Sequence, residues 1–599
     1  MYHKFADLLR KAGDKTRQGA KMAVFAAGAA TFGVVGLSAA EGEAEARNKD
    51  GHGGDDRPNV VMIVADDMGY SDIGAFGSEI STPNLDALAS RGMVFDNFRT
   101  GPTCSPSRSM FLTGADNHLA GMGTMSYAIA ETQKGQPGYE SYLSDRVVTF
   151  AQLLSDSGYH TYMAGKWHLG EHSPDQFPSA KGFDRTFTLL SGAAFHFTQD
   201  GWTPNKPDAP YAIDGEEIER GDPRFPNDFY STRTYTDKMI EFIKSNEDDD
   251  KPFFAYLAYT APHAPLQAPK DYIDKHLEAG LYEKGWDELR QERFDRMKAM
   301  GLIPANIEIP ERWGHVEAWD SLSMAEKEKE VKRMAIYAAM IDYLDDSVGR
   351  FIDELKALDE YDNTIFVFFS DNGADGELAD KDGNPAFREW WESIGIDYTD
   401  MEALGSAKSF ITYIAGWAQV STTPHWGSKK SQADGGIRGP FFITYPGKVK
   451  AGRTSSFASV LDIAPTILEY TGVEHPGTSY KGRTIVPMSG RSMHNLLAGN
   501  MDYLYAPDEP VSFEIFGTMN RAVFMGDWKA LRLGDAPWGG SLREDQTDMP
   551  WKLFNIAEDP TEQEDISDMY PQQLQMMVDA YKDYEEDVGI IYAPGFDPH

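Results

Sequence analysis

Asn59-Val-Val-Met-Ile-Val-Ala65 is, after its opening asparagine, an unbroken apolar run, rich in β-branched residues, that ends directly on Asp66-Asp67. It is too short for a typical helix. Continuous apolar runs of this length mark strands buried on both faces, as in parallel sheets. Similar runs occupy residues 159–164, 253–259 (FFAYLAY) and 364–369 (TIFVFF). Between them lie helical patterns. Residues 147–157 are amphipathic and stop at Gly158. Residues 324–358 space Val331, Met334, Ala338, Ile341, Leu344, Val348, Phe351 and Leu355 by three or four. Strands alternating with helices predict an α/β fold: a large mixed, mostly parallel sheet flanked by helices. The tail changes character. Residues 522–533 and 552–556 read as short strands, and 572–588 as a helix with Leu574, Met577, Val578, Tyr581 and Val588 on one face. A smaller C-terminal α+β domain, antiparallel sheet plus helix, is expected over 476–599, after a main domain over 58–475. Residues 268–312, highly charged, and 387–417, rich in aromatics, read as insertions.

Ahead of the first strand the pattern is that of a targeting segment. Lys4, Arg10, Lys11, Lys15, Arg17 and Lys21 precede an apolar run over 22–40 that closes on Ser38, Ala39 and Ala40. This predicts a signal peptide cleaved after Ala40, hence a periplasmic or secreted protein. The alternative is an uncleaved membrane anchor. Residues 41–57, charged and Gly-rich, read as a disordered linker. The 599 residues carry a net charge of -38, which argues against nucleic acid as a partner because phosphates would be repelled. An anionic substrate would need a local cluster of positive charge. Cys104 is the one cysteine, so no intramolecular disulfide can form.

Polar residues gather where the apolar runs end. The first leads to Asp66 and Asp67, the second to Lys166 and His168, the third to His263, and the fourth to Asp371 and Asn372. Ligands in open α/β sheets bind beyond the carboxyl ends of the strands. Asp66, Asp67, Asp371 and Asn372 offer oxygen ligands alone, the set that hard cations such as Ca²⁺ or Mg²⁺ prefer. Taken singly, Asp-Asp also suits a helix cap and Asp-Asn-Gly a turn. Taken together after matched strands, they point to a metal.

Cys104 opens Cys-Ser-Pro-Ser-Arg-Ser-Met-Phe-Leu-Thr-Gly114. Pro106 suits the first turn of a short helix and Gly114 its end. The cysteine would then sit at a helix N-terminus, where negative charge is favoured, with Arg108 one turn on. A small buried hydrophobe and a low-pKa thiolate nucleophile are the other readings of a lone cysteine.

The stretch from Cys104 to Arg108, with Leu112-Thr-Gly114, resembles the sulfatase signature C-x-P-S-R…L-T-G. Ala65-Asp-Asp-Met-Gly-Tyr-Ser-Asp-Ile-Gly-Ala-Phe-Gly77, Gly165-Lys-Trp-His-Leu-Gly170, Ala261-Pro-His-Ala-Pro265, Ser370-Asp-Asn-Gly373 and Gly435-Gly-Ile-Arg438 resemble further blocks of that family, in family order. The resemblance is greatest to bacterial arylsulfatases, and it implies an alkaline-phosphatase-like fold. It also implies oxidation of Cys104 to formylglycine by a formylglycine-generating enzyme. Asp66, Asp67, Asp371 and Asn372 would hold one Ca²⁺ together with residue 104 and a sulfate oxygen. Arg108 would support the formylglycine. Lys166, His168 and His263 would contact sulfate or handle protons. Lys429 fits a further lysine by spacing, with Lys430 beside it as the rival. The aldehyde would hydrate to a diol, one hydroxyl attacking sulfur and the other letting sulfate depart after losing a proton to His168. His263 or Lys429 would assist the leaving oxygen. The expected substrate is a small-molecule or carbohydrate sulfate ester. A phosphonate or phosphate ester hydrolase of the same superfamily and an inactive binding protein are the alternatives. The aromatics Trp390, Trp391, Tyr398, Tyr413 and Trp417 serve either an aryl pocket or a core. His118, His160, His172, His196 and His425 are read as solvated surface.

Overall fold

The computed structural model describes residues 55–247, 249–376, 385–397, 399–518, 520–533 and 549–595. The targeting segment, nearly all of the linker and Tyr398 lie outside the described residues. Residues 54–599 form one compact unit.

Its centre is a ten-stranded sheet, and Asn59–Ala65 is the middle of it. Phe253–Ala258 and Thr364–Ser370 pair with it in parallel on either side. His160–Lys166 and then Arg185–Leu189 continue the parallel run. Short strands complete both edges. Phe441–Thr444 is antiparallel to Thr364–Ser370, and Tyr211–Ile213 is antiparallel to Arg185–Leu189. The expected large mixed, mostly parallel sheet is therefore present, parallel at the core and mainly antiparallel toward its margins.

After Asn59 the first strand is apolar throughout because both faces are covered. Val61, Ile63 and Ala65 enter one core cluster with Met334, Ile341 and Phe351 of the helix Met324–Ala357. Val60, Met62 and Val64 enter the other, with Met110, Phe111 and Leu112 of the helix Cys104–Thr113. Alternate side chains point to opposite faces of a strand, so a two-sided core demands an unbroken run. The long helix starts on a capping box, Ser323 with Glu326. The charged stretch 268–312 forms two helices, Lys270–Ala279 and Gly285–Ala299.

In the tail, Pro510–Glu514, Arg521–Met525, Trp528–Arg532 and Lys552–Asn555 make a four-stranded antiparallel sheet, followed by the helix Pro571–Val588. The stretch 522–533, expected as one strand, is a hairpin that turns at Gly526-Asp527, where Gly526 has φ +58°. The helix covers one face of this sheet, with Met577 and Tyr581 against Val523 and Leu553. The other face, with Ala522, Phe524 and Leu531, belongs to the same core as Val60 and Phe111.

Candidate active site

Each polar group at the strand ends is delivered by a buried strand or helix. Asp66 and Asp67 follow the central strand, and the Asp66 N–H donates to Ala261 O at 3.1 Å. Asp67 has φ +66°, a left-handed conformation that is uncommon outside glycine and here turns its carboxylate toward Asn372 and Lys429. Cys104 is the first residue of its helix, behind Thr103 as N-cap. Gly114 ends that helix with φ +65°. Both helix boundaries match the expectation from Pro106 and Gly114.

Three carboxylates and three cations meet here, all but Lys429 nearly or fully inaccessible. Lys166 Nζ lies 2.9 and 2.7 Å from the two Asp66 oxygens. Lys429 Nζ lies 2.7 Å from Asp67 Oδ1, which places it in the cluster. Arg108 donates from Nε to Asp371 Oδ2 at 2.9 Å, and from Nη1 to Lys166 O at 2.9 Å and Tyr256 OH at 3.1 Å. Asn372 Nδ2 donates to Asp67 Oδ1 at 2.7 Å. Cys104 Sγ is 3.5 Å from Asp66 Oδ1. All the site residues expected from sequence are thus brought together. Tyr256 was not foreseen. Its only signal was a hydroxyl inside an otherwise apolar strand, which needs a buried partner.

Asp66, Asp67, Cys104 and His263 each place a ligand atom within 4.8 Å of the others. Asn372 Oδ1 is buried with no donor. Buried amide oxygens are seldom left unpaired, and an orphan oxygen beside carboxylates suits a hard cation. The donor set therefore fits a divalent metal. With three negative and three positive side chains in balance, a divalent cation and a sulfate ester add charges of opposite sign.

Burial sets the protonation states. It pushes the Cys104 thiol up to about 12, even with Lys166 and Lys429 nearby. A thiolate nucleophile at neutral pH is disfavoured accordingly. His263 is lowered by burial to about 4 despite Asp67, so it is neutral at pH 7. Its Nδ1 lies 2.7 Å from Ala264 O and must carry the hydrogen, since a carbonyl can only accept. Nε2 is left as an acceptor, 3.5 Å from Asp67 Oδ2. His168 is driven well below its usual range by burial and then by Lys166 and Arg108. Its Nδ1 is buried without a partner, and its backbone has φ +57°. Gly192 makes room for this ring: a Cβ there would lie 2.5 Å from Cε1. Burial works against the charge of Lys429, but Asp67 outweighs it and holds the ammonium protonated.

Cys104, His168, His263 and Lys429 lie on a cavity of about 600 Å³. Met122, Met125, Leu190, Trp202, Phe387 and Trp391 line its walls. Trp391 stacks on Phe410 with centroids 3.7 Å apart and donates from Nε1 to Trp202 O. The aromatic stretch is therefore divided. Phe387 and Trp391 face the cavity, whereas Tyr413 stacks on Tyr337 and Trp417 packs with Trp286 and Trp319 in the core.

Three histidines expected on the surface are buried: His118, His196 and His425. A lone histidine carries no periodic signal of burial, and each has at least one partner distant in sequence. His196 lies 3.0 Å from the His263 carbonyl and 2.7 Å from Ser231 Oγ. His118 bridges Asp116 and Glu514. His425 Nδ1 lies 2.8 Å from Pro560 O.

The sequence model of the Sulfatase family matches residues 58–473. The chain belongs to the sulfatase family. It is 39% identical to an uncharacterized sulfatase of Schizosaccharomyces pombe over 548 residues, covering 90% of this chain and 95% of that one. It is 39% identical to an arylsulfatase of Klebsiella aerogenes over 452 residues, covering 73% and 91%. Among solved structures it is similar to Ps i-CgsB in complex with k-i-k-neocarrahexaose, with TM-score 0.61, 25% identity and 90% and 95% coverage. A phosphonate monoester hydrolase from Silicibacter pomeroyi shares the fold at 16% identity and TM-score 0.53, covering 89% and 96%. This sulfatase is a sulfuric ester hydrolase.

Proposed function

We propose that this sulfatase works through formylglycine at position 104 and one Ca²⁺ held by Asp66, Asp67, Asp371, Asn372 and residue 104. The observation that carries the reading is the orphan Asn372 Oδ1 among these carboxylates, beside the buried Cys104 at its helix start. When bound, the cation supplies positive charge at the sulfuryl oxygens. Formylglycine supplies a hydrated aldehyde as nucleophile.

The chain's own residues do the rest. Lys166 and Lys429 fix the anion and neutralise charge that grows on it. Arg108, locked by Asp371 and Tyr256, holds the residue-104 helix against the strand ends. His168, neutral and lining the same cavity as Cys104, accepts a proton on its imidazole. His263 is neutral and presents an acceptor, so Lys429 is the protonated group facing the leaving oxygen.

The substrate is read as an aryl or carbohydrate sulfate ester, its alcohol part resting between Trp202, Phe387 and Trp391. The N-terminal pattern supports export to the periplasm or beyond, with anchoring as the variant of that reading. Sulfate release should be assayed with Ca²⁺ across aryl, alkyl and carbohydrate sulfates and matched phosphate and phosphonate esters. Faster turnover of a phosphate or phosphonate ester than of every sulfate would overturn the reading.

A further inference from the structure

Lys429 is carried by irregular backbone between His425 and the short helix Asp434–Ile437. No regular element fixes it. Its own N–H donates to Ala374 O at 3.0 Å. The next residue, Lys430, has φ +74°, left-handed backbone that a long side chain seldom adopts. Such a conformation persists where the surroundings over-determine it.

The C-terminal sheet provides that determination. Asn520 immediately precedes the strand Arg521–Met525 and is 3% exposed. Its Nδ2 donates to Lys430 O at 2.5 Å, and its Oδ1 accepts from the Gln432 N–H at 2.8 Å. One amide thus closes both ends of the tripeptide 430–432. The Lys430 N–H is in turn taken by Pro102 O at 2.7 Å, just ahead of Cys104. Further along, Lys529 of the neighbouring strand reaches Asp434 Oδ1 at 2.7 Å, with both side chains inaccessible.

We propose that Asn520 is a positioning residue for the reaction: it holds the Lys429 backbone so that the ammonium meets the sulfate pocket beside Asp67. This rests on the reading of Lys429 as a cation of that pocket. Asn has the donor and the acceptor that the clamp needs on one short side chain. Aspartate keeps the acceptor and loses the donor. Alanine loses both and leaves a buried carbonyl and N–H without partners. Small displacements of a charge-stabilising group are costly in rate.

The test is a double-mutant cycle on the full-length, metal-loaded enzyme with 4-nitrophenyl sulfate. Asn520→Ala should lower kcat/KM about 10- to 100-fold, with bound metal unchanged. In a Lys429→Ala background the same change should cost less than about 3-fold, because the group it positions is gone. A merely structural role would cost the same in both backgrounds, and that result would overturn the proposal. Full kcat/KM in Lys429→Ala alone would remove the reading of Lys429, and this proposal with it. Should Asn520→Ala not fold, Asn520→Asp, of equal size, carries the same cycle.

Discussion

The Asp371 carboxylate accepts a hydrogen bond on Oδ2 from Arg108 Nε at 2.9 Å, while Nη2 lies 2.7 Å from the same oxygen as an ion-pair contact without hydrogen-bond geometry, and neither side chain is exposed. Breaking such a pair from one side strands the other charge in a dry interior. Asp371→Ala is therefore expected to destabilise the fold by about 3–5 kcal/mol, beyond any loss of activity. Urea unfolding of the metal-free protein measures this, and a change under about 1 kcal/mol would contradict it.

Cys104→Ala should behave in the opposite way. One small buried atom is lost at a helix start, so stability should fall by only about 1 kcal/mol. Turnover should drop by about 10³-fold or more, as when a nucleophile is deleted. Peptide mass spectrometry of the active enzyme should find formylglycine at 104. An active preparation with an intact thiol there would refute the assignment.

Metal removal gives a third expectation. A chelator should abolish sulfate release and Ca²⁺ should restore it, with about one ion per chain by elemental analysis. Asn372→Ala should weaken binding by about 10-fold or more, since it deletes an oxygen that no donor satisfies. Restoration by zinc alone would point to a different centre.

A pH-dependent stability follows from His118. Burial alone would lower its pKa, but hydrogen bonds to Asp116 and Glu514 prevail and raise it from 6.5 to about 9. A pKa raised on folding contributes stability that is complete below the unfolded value. The contribution should thus be whole below about pH 6.5 and fade as pH rises through about 9. Urea midpoints across pH 6 to 10 should show this decline, and His118→Ala should abolish it. A wild-type profile that is flat across this window would count against the pairing.

The strand ends were legible because a two-sided core forces unbroken apolar runs, and a polar residue that ends one is conspicuous. Asp66, Asp67, Lys166, His263, Asp371 and Asn372 were all found in that way. The helix from Cys104 was legible from Pro106 and Gly114. The short antiparallel edges were not, since three residues such as Tyr211–Ile213 give too little periodicity. Asn520 left no local signal and Tyr256 only a hydroxyl in an apolar strand: their roles come from partners 90 and 148 residues away. His118 and His196 read as surface for the same reason. Burial of a polar group is decided by what surrounds it, and local sequence does not record that.

Cys104 has 1% of its surface exposed, in a helix backed by the central sheet. The cavity admits a small ester to it, but residues 101–113 are buried throughout, so an enzyme that must grip this segment cannot do so in the folded chain. If oxidation at this position is what makes the enzyme active, it has to happen while the chain is still open. The sheet that closes over the Lys429 loop is built from strands between residues 510 and 555, which are synthesised some four hundred residues after Cys104. Translation itself would then set the order of events: the modifying enzyme meets residue 104 early, and the C-terminal strands seal the site afterwards. A protein refolded from the unmodified chain would regain its shape and stay inactive, because the moment for activation precedes the fold.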